Sequence, residues 1–192
     1  MNINFDLVQG AFWSLTYILV IVHNFKYRTS GLPPIAMTVN FAWETIALLR
    51  FGTVVHRIWF GLDFLIIVSY YIRCGCVYYK FKCFMPLLFA GLLAVFAAVF
   101  NAGGMLVSSF VIDLTMAIEY FVFILSLRKK SGWKPTSILL LAICATKLLG
   151  DQAAWLYYME LSRVASVIGI LVFLLNTCCL AVALIRKNPA AS

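Results

Sequence analysis

Five carboxyl side chains sit where a carboxylate is costly. Glu44, Asp63, Asp113, Glu119 and Asp151 fall inside long apolar runs, as does Lys147, whereas Asp6 and Glu160 lie near run ends. An ionised side chain at the centre of a bilayer costs at least about 2.5–3.5 kcal/mol on insertion scales, so such groups face a bundle interior or a wet cavity. Their spacing groups them. Asn40 and Glu44 are four residues apart and share a helix face, with Trp43 beside them. Trp59 and Asp63 share a face in the next run, and Lys147, Asp151 and Trp155 form a stripe in a later one. Three helices thus each offer a carboxyl group one turn from a polar or aromatic partner. A site of that kind is apolar, aromatic-lined and acid-tipped. It suits a hydrophobic substrate that must receive a proton and have positive charge stabilised.

Each residue also has a plainer use. Lys147 and Asp151 have the spacing of an ion pair that neutralises itself. Asp63 could pair with Arg57 or Arg73, Asp113 has no obvious local partner, and Glu119 lies on another face and approaches an interface. Glu44 is deep in its run with no neighbouring base, which makes it the candidate general acid. Trp43, Trp59 and Trp155 serve packing or binding equally well, while Trp13, Trp133, Tyr78 and Tyr79 read as interfacial belts. His23 and His56, near run ends, read as interfacial. Of the six cysteines, Cys144, Cys178 and Cys179 read as small hydrophobes, and Cys74, Cys76 and Cys83 as reduced thiols beside a basic loop without a second metal-ligand pair. No Ser-His-Asp order, HExxH, P-loop or GxGxxG is visible.

The elements that must position these groups are membrane helices. The 192 residues are 64% apolar and 11% charged, whereas soluble domains run about 45–50% and about 25%. That excludes a disordered chain, a secreted disulfide scaffold and an ordinary soluble enzyme, and leaves a polytopic membrane protein of one domain. A spanning helix needs about 20 mostly apolar residues. Seven runs are predicted to span: 5–25, 35–51, 54–72, 84–100, 105–127, 136–158 and 162–185. Arg50, His56 and Arg57 crowd the second junction, so five or six spans are the alternative. With seven, eleven Lys and Arg residues fall on the side of the C-terminus and three on the other, with Lys147 inside a span. That bias places the C-terminus in the cytoplasm and the N-terminus outside or in a lumen. The net charge of +8 follows from those loops, and no basic domain for nucleic acid is present. The first run lacks a basic leader and reads as a permanent span. Loops are short, so function must lie in the bundle or at its mouth.

Asn40-Phe-Ala-Trp-Glu44 on a second span, followed by Trp59-Phe-Gly-Leu-Asp63 on a third, resembles the small seven-helix membrane terpene cyclases of meroterpenoid and indole-diterpene biosynthesis. Size, helix count and short loops agree over nearly the whole chain. The resemblance implies that two buried acids protonate the terminal epoxide or alkene of a prenylated substrate, and that cyclisation proceeds through carbocations without metal or cofactor. It implies that Glu44 is one of these acids. The family carries the other, an aspartate, in its last span. Here that span has no acid: Asn176 is its nearest polar candidate, and Asp151 could supply the acid from the sixth span.

The expectation is therefore an all-α, membrane-integral terpene cyclase of secondary metabolism, acting in the bilayer on a hydrophobic prenylated small molecule. Glu44 donates the proton, Asp151 partners or reloads it, and Lys147 tunes the charge of Asp151. Asp63 and Asn40 orient water or the substrate oxygen, and Trp43, Trp59 and Trp155 face the cations. A small proton-coupled transporter or channel is the runner-up, since membrane acids and a buried lysine also suit a proton relay. A retinal-binding protein using Lys147 and a non-catalytic scaffold are further alternatives.

Overall fold

The computed structural model describes residues 5–74, 79–102, 104–129, 138–158 and 163–184. Among them are seven helices and no strand: α1 (Phe5–Tyr27), α2 (Pro34–Phe51), α3 (Val54–Arg73), α4 (Tyr79–Asn101), α5 (Met105–Lys129), α6 (Ile138–Tyr158) and α7 (Arg163–Leu184). Six are long and apolar enough to cross a membrane; α2 is the exception. The reason is where α2 sits. It packs against α3 and α5, and α4 packs against it in turn, so eleven of its eighteen residues are buried. A helix covered by its neighbours needs less apolar surface of its own, and α2 uses that freedom to carry the buried Asn40 and Glu44. The remaining neighbours are α1 on α3 and α6, α4 on α5, and α7 on α5 and α6. Leu65, Leu87, Val122, Val167 and Leu174 are among the large apolar side chains exposed around the outside.

Local chemistry fixes the helix ends. Pro34 starts α2, where a missing N–H costs nothing and a fixed φ helps. Gly52 closes α2 in the left-handed conformation at φ 59°, which a side chain would strain. One residue later, Thr53 caps α3 by accepting the His56 backbone N–H at 3.3 Å. This two-residue link sets α2 and α3 as an antiparallel pair.

The largest departure from the predicted spans is at α4, which begins at Tyr79 and not near residue 84. The basic stretch expected to be loop through Lys82 is therefore partly helical. Pro86 has no N–H for the Lys82 carbonyl one turn earlier. The Tyr71 hydroxyl donates to that carbonyl instead, at 2.6 Å, and the Lys82 ammonium reaches the carbonyls of Tyr71 and Cys74 at 3.0 and 2.6 Å. The end of α3 thus repairs the start of α4, a long-range exchange that periodicity does not reveal.

Candidate active site

Asn40 and Glu44 do share a face of α2, and that face turns inward: they are 6% and 2% exposed. The Asn40 amide donates both its protons, one to the Tyr17 hydroxyl of α1 and one to Oδ2 of Asp63 of α3, each at 2.7 Å. Asn40 is therefore the hub that ties three helices, and it accounts for the buried Asp63. Arg57 and Arg73, the partners considered for that acid, are engaged elsewhere. The Arg57 side chain donates to the Gly52 carbonyl, and Arg73 lies over the Phe25 ring.

Glu44 faces a cavity of about 50 Å³. Its walls include Trp13 and Tyr17 of α1, Trp43 of α2, Trp59 of α3, Asp113 and Met116 of α5 and Ala154 of α6. The indole N–H of Trp59 donates to Ser14 at 3.2 Å and that of Trp43 to Ser108 at 3.4 Å, so each indole N–H has a hydroxyl partner. Trp13 is not the interfacial belt residue expected of it. It is 5% exposed, and Gly150 of α6 lets it pack close, since a Cβ there would lie 3.0 Å from the indole.

The expectation that Glu44 lacks a neighbouring base does not hold. His56 Nδ1 stands 3.4 Å from Glu44 Oε2. The interfacial reading of His56 misses this, because the ring turns in from the first turn of α3. The signal was in the sequence: the short Gly52-Thr53 link forces α3 back along α2 and brings residues twelve apart together. The ring is held among Trp43, Phe51 and Trp59, with centroids 6.1, 5.8 and 6.2 Å away.

The other candidates form a second centre. Lys147 Nζ donates to Asp151 Oδ2 at 2.6 Å and to Asn176 Oδ1 at 3.2 Å, and the Asn176 amide donates to the same Asp151 oxygen at 2.6 Å. This closed triangle joins α6 to α7 and is fully buried. Asp151 is thus committed to Lys147 and Asn176 and is not brought to Glu44. Lys147 also lies over the Trp13 ring, 5.4 Å from its centroid, so the triangle touches one wall of the Glu44 chamber. Trp155 packs on α7 instead: a Cβ on Gly169 would fall 1.9 Å from its Cδ1. Glu119 lines a groove with Pro33, Phe81 and Phe123, away from both centres.

Part of the chain also has a counterpart among known proteins. Over 40 residues it is 42% identical to terpene cyclase pyr4 of Aspergillus fumigatus. The stretch covers 21% of this chain and 17% of the length of that protein. No family model matches the chain, and no solved structure does. The chamber itself holds a carboxyl group beside an imidazole, three indole rings, and a second acid, Asp113, across the void.

Proposed function

We propose that this protein is a membrane-integral terpene cyclase that opens the terminal epoxide, or protonates the terminal alkene, of a prenylated substrate. The observation that carries the reading is Glu44, buried yet facing a void walled by Trp13, Trp43 and Trp59. Glu44 gives its proton to the substrate oxygen or carbon, and the indole faces stabilise the cations that follow. Asp63, fixed by Asn40, holds that side of the chamber in register. The Lys147–Asp151–Asn176 triangle acts one layer out, keeping Trp13 in place as a wall.

A cavity of about 50 Å³ holds water, not a prenyl chain, since pockets for drug-sized ligands run to about 300–1,000 Å³. The substrate must therefore part side chains as it enters. Trp59 is the side chain to move. It lines the chamber on one side, and on the other a groove of about 210 Å³ between α1 and α3 floored by Gly10, Ala11 and Ser14. Swinging it out joins groove and chamber and admits an apolar chain from the bilayer.

The chamber residues lie early in α1, α3 and α5 and late in α2 and α6. They share the end of the bundle that carries the three Arg residues of the low-charge side, so the positive-inside bias points the chamber to the lumen or exterior. Glu44→Gln in membranes supplied with a prenylated epoxide tests the assignment, and undiminished cyclisation would refute it. The water-sized chamber and the buried ion pair also fit a proton-coupled transporter. Uptake driven by a pH gradient in proteoliposomes, with the substrate chemically unchanged, would favour that alternative.

A further inference from the structure

A general acid works once and must then be reloaded, and a buried carboxylate has no direct supply of protons. The structure gives Glu44 a partner suited to the task. The Glu44 side chain is 3% exposed, whereas that of His56 is 14% exposed and reaches from the first turn of α3 to within 3.4 Å of Oε2. The ring therefore bridges the chamber and the outer edge. The Thr53 cap and the three surrounding aromatic rings keep it on that line. Between the two atoms one proton is shared: either Nδ1–H donates to the carboxylate, or a protonated Oε2 donates to Nδ1.

We propose that His56 is a positioning residue that reloads Glu44 with a proton between turnovers, drawing it from water at the low-charge end of the bundle. This rests on the reading of Glu44 as proton donor and specifies how that donor is regenerated. The steps balance. The Glu44 O–H bond breaks as its proton joins the epoxide oxygen, and the C–O bond breaks to leave a hydroxyl and a carbocation. Ring closure ends when the last cation loses a C–H proton to water and forms an alkene. The neutral imidazole then takes a proton from water, and the imidazolium passes its Nδ1 proton to the Glu44 carboxylate, which leaves the ring neutral again. One proton enters and one leaves, with no oxidant or reductant. The other titratable and charged groups about the pair are Arg50 on α2, Arg57 and Asp63 on α3, Tyr17 on α1 and Asp113 on α5. Arg50 is bonded to Asn101, Arg57 to Gly52, and Tyr17 and Asp63 to Asn40.

The test separates the first turnover from those that follow. Full-length protein in membranes is given a farnesyl arene bearing a terminal epoxide, first with enzyme in excess and then with substrate in excess. His56→Gln should slow later turnovers about 100-fold, the scale of proton transfer by a positioned side chain, and slow the first turnover far less, because Glu44 is already loaded. Imidazole should restore the later turnovers of His56→Gly, a rescue that a purely structural histidine would not show. Unchanged multiple turnover, or first and later turnovers falling together without imidazole rescue, would overturn the proposal. Should Glu44→Gln itself cyclise the probe, the reading of Glu44 as donor fails. Infrared exchange of the Glu44 carboxyl proton with D2O then decides the relay separately: slower exchange in His56→Gln upholds it, and equal exchange overturns it.

Discussion

Lys147→Met should be among the most destabilising single changes in the bundle. Lys147, Asp151 and Asn176 are 2%, 3% and 2% exposed, and the ammonium makes two of the three bonds that close the triangle. Methionine keeps the length and apolar stem of lysine but leaves the Asp151 carboxyl with only the Asn176 amide on Oδ2. Removing one partner of a buried pair costs about 3–5 kcal/mol. At roughly 2–4 °C per kcal/mol for a chain of this size, that lowers Tm by about 10 °C. Removing both charges together, Lys147→Met with Asp151→Leu, strands only the Asn176 amide, at about 1–3 kcal/mol. The double variant should therefore unfold at a higher temperature than the single one. Thermal unfolding in detergent, followed by the monodisperse fraction, reads the difference. If Lys147→Met melts with wild type, or if the double variant is worse than the single one by the full cost of a second charge, the closed-triangle reasoning is wrong.

Two further outcomes follow from close contacts elsewhere. Gly169→Ala would place a methyl group 1.9 Å from Trp155 Cδ1, so it should cost about 1–3 kcal/mol as overpacking does, and a smaller residue at 155 should recover the loss in a thermal melt. Just past the end of α3, burial pushes the Cys74 thiol up to about 11 against the opposing pull of the Lys82 ammonium. Its reactive thiolate is then scarce at neutral pH and grows only as the pH approaches that value, so maleimide followed by mass spectrometry should find Cys74 modified slowly at pH 7 and faster as the pH rises.

The sequence carries the helices and much of the chamber, and the reasons are physical. Apolar runs bounded by Pro33-Pro34, Gly52 and Arg73 mark where helices start and stop, and four-residue spacing places Asn40 with Glu44 and Trp59 with Asp63. Pairing across helices is another matter. Nothing local to Asp63 tells that its partner is Asn40, twenty-three residues away on α2. The likeness of Lys147-Leu-Leu-Gly-Asp151 to a self-neutralising pair is legible, but its closure by Asn176 on α7 depends on how α6 and α7 pack. Trp13 has the flanks of a belt residue and becomes a chamber wall because Gly150 on α6 makes room for it. His56 lies near a helix start, where exposure is the ordinary expectation, and only the tight α2–α3 link turns it toward Glu44.

Turnover of a prenylated epoxide by Glu44→Gln beside Asp63→Asn, in membranes with matched protein amounts and product read by mass spectrometry, bears most directly on which acid starts the reaction. Glu44 lines the chamber while Asp63 is held by Asn40. Glu44→Gln should therefore lose at least about 100-fold in rate, as removal of a general acid does, and Asp63→Asn should lose much less. Full cyclisation by Glu44→Gln, or its loss in Asp63→Asn alone, would contradict the assignment of Glu44 as the proton donor.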